Sequence, residues 1–178
     1  MSSESISSPS EGGLADGQSY LRMLSSMGAA VGDFYLLLGH QFTASALPLN
    51  IDRGEQRQCY RNAGELALSS SKLAYCEGFA RPAGLIPVHH AWCVDACGQV
   101  VDPTWAQPEL ASYFGIALKR DWLKAQLRRR ETWGLLSEYI PREWLAEHPA
   151  AFLHEDWVPE PERLSQYLEK RTLWRGKA

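Results

Sequence analysis

At 178 residues the chain is long enough to bury a substantial core within one domain. Its net charge of −3 makes no electrostatic case for nucleic acid or an anionic membrane surface, so neither is expected as a partner. No run approaches the roughly 18 apolar residues that a membrane helix needs, and Met1 to Gly17 lacks the basic-then-apolar order of a secretory signal. The cysteines (Cys59, Cys76, Cys93 and Cys97) are too sparse for a disulfide framework and suit a reducing compartment, so a cytoplasmic location is expected.

Residues 1–17 are rich in Ser, Gly and acidic side chains, which predicts a disordered tail, with an exported-effector leader as the competing reading. Residues 18–178 read as one domain, with a core over about 51–118 and a helical part over 119–178. Tyr20 to Ala30 has helical spacing through Leu21, Leu24 and Met27. Phe34 to Leu38, bounded by Gly32 and Gly39, fits either a strand or a helix. A polar stretch, Asp52 to Gln58, leads into Cys59–Leu68, where Ala63, Leu66 and Ala67 give a helix its inward face. Leu73–Ala80 alternates as a strand, with Gly78 permitting close backbone approach, and Arg81–Pro87 is a loop.

Next comes a hairpin, with strands through His90–Val94 and Gln99–Asp102. Cross-strand partners have a constant sum, so the turn length decides which residues share a face. A three-residue turn, Ala96-Cys97-Gly98, pairs Trp92 with Asp102 and puts His90 on the same face; Gly98 suits the left-handed position that this turn requires. Beyond the core, Arg120–Tyr139 reads as a helix carrying the Arg128–Arg130 triplet, best explained as a solvated face. Pro141 opens a second piece, Arg142–Glu147, and Pro159 and Pro161 precede a last helix, Glu162–Trp174.

Three residues in order carry chemistry: Cys59 at a helix start, then His90 and Asp102 on successive strands. The helix end and an imidazolium both favour thiolate, while a carboxylate holds the ring in one tautomer. The polar stretch before Cys59 places it at a surface-reaching loop. His89 and His90 point to opposite faces of their strand, so only one of them can serve. Asp102 sits where its strand ends, with capping of the next turn as its structural alternative; Asp95 lies at the far end of the hairpin. Gln58 is a candidate oxyanion donor beside the Cys59 backbone N–H, with Gln41 and Gln56 as rivals. Asn62, one turn after Cys59, is a candidate to bind substrate or to fix the loop. Trp92 and Trp105 flank the hairpin and are candidate walls over a thioester. Glu77 is read as a sheet-face or rim residue, with contact to substrate as the competing reading. Cys93 and Cys97 satisfy half of a zinc pattern, but strand alternation separates Cys93 from His90.

The segments Gln58-Cys59-Tyr60, His90-Ala91-Trp92 and Val101-Asp102-Pro103-Thr104 together resemble the core of the transglutaminase-like branch of the papain-like cysteine enzymes, over roughly residues 54–116. The resemblance implies a peptidase, amidase, deamidase or acyl transferase. The chain departs from cross-linking transglutaminases in its short length and in having no acidic loop of the calcium-binding type.

The expected fold is therefore α+β, with a papain-like or transglutaminase-like core: the nucleophile helix packed on a small antiparallel sheet, with extra C-terminal helices. The expected function is that of a thiol hydrolase (cysteine peptidase, amidase or deamidase) acting on an amide or ester carbonyl of a protein or peptide. Cys59 attacks, His90 moves the proton, Asp102 orients the ring, and no cofactor or metal is called for. An acyl transferase, or a binding module that keeps the fold, are the alternatives.

Overall fold

The computed structural model describes residues 15–27, 30–136 and 147–175. Two helices open it: α1 (Ala15–Ser26) and α2 (Ala30–Leu38). The first of these begins inside the stretch expected to be a tail, whose remainder, like residues 141–146 of the piece opened by Pro141, lies outside the described residues. Phe34–Leu38 resolves as helix: Phe34, Tyr35, Leu37 and Leu38 are all buried, a coverage that a one-sided strand would not give. Leu21 is buried as its spacing predicted, but Met27 falls after the helix and is exposed.

A short strand, β1 (His40–Phe42), precedes the polar loop 52–58 and α3 (Cys59–Ser69). Strands β2 (Ala74–Arg81), β3 (Val88–Val94), β4 (Val100–Val101) and β5 (Ser112–Leu118) complete an antiparallel sheet in the order β1-β5-β2-β3-β4. The two rims of this sheet meet. The Thr43 N–H donates to the Gly98 carbonyl at 2.9 Å, and the Val100 N–H donates to the Thr43 carbonyl at 2.8 Å. The sheet is thus curled, with an inside and an outside.

Inside the curl lie Phe42, Cys76, Trp92, Val94, Val100 and Tyr113. The outer face, through Tyr75, Phe79, Ala91, Cys93 and Ile116, is covered by the helices. Gly115 faces inward beneath Trp92; a Cβ there would come within 2.7 Å of the indole, so the large ring depends on an absent side chain. Helix α4 (Arg120–Arg130) is shorter than the sequence predicts. It ends where Glu131 takes a left-handed conformation, φ 54°, and the Arg128–Arg130 triplet fills its last turn, where cations complement the helix dipole. A final helix, α5 (Pro161–Arg175), matches the expected one within a residue at each end. Among the described residues no helix is long and apolar enough to cross a membrane.

Candidate active site

The β3–β4 hairpin fixes two of the three expected residues. Cys93 pairs with Val101 and Val94 with Val100, the register that sets Trp92 opposite Asp102. The turn between them is closed by the Gly98 N–H on the Asp95 carbonyl at 3.0 Å, with Gly98 at φ 77°. Asp95 serves the turn itself: its Oδ1 accepts from the Cys97 and Gln99 N–H groups, both at 2.9 Å.

His90 Nε2 lies 2.8 Å from Asp102 Oδ2, with His90 3% exposed and Asp102 fully buried. Both readings of Asp102 hold at once, on different oxygens. Oδ2 also accepts from the Tyr113 hydroxyl at 3.0 Å, while Oδ1 accepts from the Thr104 N–H at 2.8 Å and caps the turn. Tyr113, on β5, was not recognised from the sequence as part of the site.

The third residue arrives from the helix. The polar loop 52–58 is exposed as expected, but Cys59 itself is only 9% exposed. Tertiary packing of the first helical turn covers it, and the loop is pinned across it. The Gly54 N–H donates to the Pro103 carbonyl at 2.8 Å, and Arg53 Nη1 donates to the Trp105 carbonyl at 2.9 Å. Asn62 Nδ2 donates to the Glu55 carbonyl at 2.7 Å and contacts Thr104 Oγ1 at 3.0 Å. Asn62 therefore fixes the loop. Arg57, at φ 65°, takes the left-handed turn that sends the chain into α3.

Between Cys59 and Asp102 the His90 imidazole is held near pKa 9. Burial alone would lower it, but the Asp102 and Cys59 side chains outweigh that cost and favour the protonated ring. Because Asp102 occupies Nε2, the nitrogen left for the thiol is Nδ1. Trp105 lies flat on the ring, and Gln56, Arg57, Thr104 and Ala106 complete a cleft of about 300 Å³ around Cys59 and His90.

Two sequence candidates do not reach this cleft. Gln58 is the exposed residue before α3 and lies outside the lining, whereas its rival Gln56 lines it. Trp92 is wholly buried inside the curl, against Phe42 and Tyr113, and so supports His90 from within rather than walling the cleft; Trp105 has that position. Alternation put Trp92 on the His90 side correctly, but which side of a curled sheet is its interior is not visible in alternation.

His89 belongs to a second polar cluster, on the outer face. The Tyr35 hydroxyl donates to the Leu136 carbonyl at 2.9 Å, so its oxygen accepts from His89 Nε2 at 2.7 Å, and Nδ1 is left to accept from the Tyr60 hydroxyl. Burial lowers this imidazole to about 4, which keeps it neutral. Glu77 sits on a face of β2, one of its two expected places, but it is fully buried there and not at a rim, accepting from the Tyr75 hydroxyl and from the Leu135 and Leu136 N–H groups at 2.6–2.7 Å. Cys93 donates to the Ala63 carbonyl at 3.2 Å, while Cys97 stands exposed at the turn. Among the described residues no group of three or more His, Cys, Asp or Glu side chains is placed to hold a metal ion.

Comparison of the chain with protein-family models, with curated proteins and with solved structures finds no match.

Proposed function

We propose that the protein is a cysteine-dependent acyl-transfer enzyme, a thiol hydrolase of protein or peptide carbonyls, with a core of the transglutaminase-like and papain-like kind. The observation that carries this reading is the His90 imidazole, buried between the Asp102 carboxylate and the Cys59 thiol at the wall of an open cleft. The thiol sits at the first residue of α3, where unpaired backbone N–H groups favour a sulfur anion and can receive a developing oxyanion.

The proton shared by Cys59 and His90 rests on the imidazole, and Sγ bonds as the thiolate to the substrate carbonyl carbon. The leaving nitrogen or oxygen departs with the proton held at His90 Nδ1, giving a thioester. Water then gives a proton back to His90, bonds to the same carbon, and releases Cys59 and a carboxylic acid. Exposure of Gln56 and Arg57 at the mouth favours water over an amine as the acceptor, because a single tryptophan does not seal the cleft.

The test is to offer a mixture of peptide amides and esters, quench in acid and weigh the intact protein. An added acyl mass on the fragment carrying Cys59, absent in Cys59→Ala and not discharged by water in His90→Ala, is the expected result. No adduct, together with alkylation of Cys59 at the rate of an ordinary thiol, overturns the proposal.

A further inference from the structure

Arg53, Arg57 and Arg61 flank Cys59 in the chain, and two of the three are engaged. Arg53 Nη1 donates to the Trp105 carbonyl at 2.9 Å, and its other terminal nitrogen donates to the Ala106 carbonyl. Arg61 Nε pairs with Glu65 Oε1 at 2.8 Å, one turn along α3. Arg57 has neither kind of partner among the described residues, and it lines the cleft that holds Cys59 and His90.

The backbone at this position is also unusual. Among the described residues only Arg57 and Glu131 combine a side chain with a positive φ, and Glu131 ends a helix. A left-handed turn carries a steric cost for arginine that glycine would not meet, and strain of this kind collects at functional sites. What glycine could not supply is the guanidinium.

The surrounding charges leave that guanidinium open to a ligand. No carboxylate lines the cleft: Asp52 and Glu55 of the same loop are exposed and outside the lining. Asp102 is fully buried, with its oxygens given to His90, Tyr113 and the Thr104 N–H. Nor does Arg57 serve the imidazole, whose proton is held by Asp102 and Cys59. A guanidinium presents a flat fork of N–H donors that fits both oxygens of a carboxylate. An anion held there shares one cleft with the carbonyl under attack, since the same cleft contains Cys59.

We infer that Arg57 selects peptide substrates with an acidic side chain close to the reacting carbonyl, by pairing with its carboxylate. The inference rests on the acyl-transfer reading above and narrows it to acidic stretches of a protein or peptide.

Two reagent sets test it, in a Cys97→Ser background so that the exposed turn thiol does not react. Iodoacetate and iodoacetamide alkylate Cys59 by the same displacement: Sγ bonds to the methylene carbon and iodide leaves. They differ in charge alone. The iodoacetate-to-iodoacetamide rate ratio should fall about three- to tenfold in Arg57→Gln and in Arg57→Gly, while Arg57→Lys keeps most of it. Glycine relieves the left-handed turn, so a loss shared by both neutral variants belongs to the guanidinium and not to the loop. His90 attracts iodoacetate in every form and cancels from the comparison.

The second set uses thioesters. Acetyl-Ala-Asp-Gly and acetyl-Ala-Asn-Gly on one leaving thiol place the charge in the acyl half. Acetyl thioesters of 3-mercaptopropionic acid and of its amide place it in the leaving half. In each, Cys59 Sγ bonds to the acyl carbon, the bond to the leaving sulfur breaks, and that sulfur takes the His90 proton. The native protein should favour the acidic member of at least one pair by about three- to tenfold in kcat/KM, and Arg57→Gln should remove the preference. An alkylation ratio that Arg57→Gln leaves unchanged overturns the role of Arg57. So do thioester ratios that are equal in the native protein and Arg57→Gln, with Cys59 acylated; the acyl-transfer reading then stands. Alkylation that depends on Arg57, with no thioester acylating Cys59, overturns the acyl-transfer reading and the acidic substrate with it.

Discussion

Trp105 lies flat against His90, with ring centroids 4.0 Å apart and the planes 16° from parallel. An indole face stabilises a protonated imidazole by about 0.5–2 kcal/mol and holds the ring in line with Asp102. Trp105→Ala should therefore lower the pH at which His90 loses its proton by about one unit. The alkaline limb of the Cys59 alkylation rate reads this directly. An unchanged limb would show that Asp102 and Cys59 set the ring without the indole.

The four cysteines should separate cleanly by position. On the proposed reading, Cys59→Ala should abolish acyl-enzyme formation. Cys76 and Cys93 are fully buried, and changing either to Ser should cost about 1–3 kcal/mol in urea unfolding while activity persists. Cys97→Ser, on an exposed turn, should be silent in both measurements. Loss of activity from Cys93 and Cys97 alike, with zinc in the purified protein, would favour a metal site instead.

His90 also ties stability to pH. Its folded pKa, about 9, stands above the ordinary 6.5, so the folded protein binds this proton more tightly than the unfolded chain. The stabilisation is complete below pH 6.5 and is lost as pH rises through 9, with a span on the order of 3 kcal/mol. Urea unfolding of the native protein and His90→Gln, compared across that window, should show the native advantage shrinking with rising pH. A constant gap would remove the coupling.

Glu77 works with the same sign at a lower window. Burial raises it from 4.5 to about 7, against the opposing hydrogen bonds from Tyr75, Leu135 and Leu136. The folded state thus holds the proton more tightly between those values, and stability falls as pH rises from 4.5 through 7. Glu77→Gln should abolish that slope. It should also lose about 1–3 kcal/mol at neutral pH, because one amide oxygen cannot serve both backbone N–H groups as two carboxylate oxygens do. Thermal unfolding across the range measures both effects.

What the sequence made legible was local. The Asp95–Gln99 turn, its glycine and the two-residue alternation determine the His90 and Asp102 faces within one hairpin, and helix spacing places Cys59 at the start of α3. Long-range pairing was less readable. β1 pairs with β5, far along the chain, and neither His40–Phe42 nor Ser112–Leu118 carries a strong strand pattern of its own, so Tyr113 was missed as a partner of Asp102. The Tyr35–His89–Tyr60 chain is assembled from three separate elements, and no spacing rule connects them. The burial of Glu77 was not legible because buried carboxylates are rare, and the Tyr75 hydroxyl together with the backbone of Leu135 and Leu136, folded over the sheet, makes it tolerable.

The junction at Thr43 bears on how the protein behaves in a crowded solution. A sheet rim offers a row of vacant backbone donors and acceptors that another chain can extend, the route to domain exchange and fibrils. Here the rim strands are only three and two residues long, and the two rims are joined where Thr43, just after β1, bonds to Gly98 and Val100. The meeting of the two rims at Thr43 opposes strand addition there, without a proline or a gatekeeper charge at the junction.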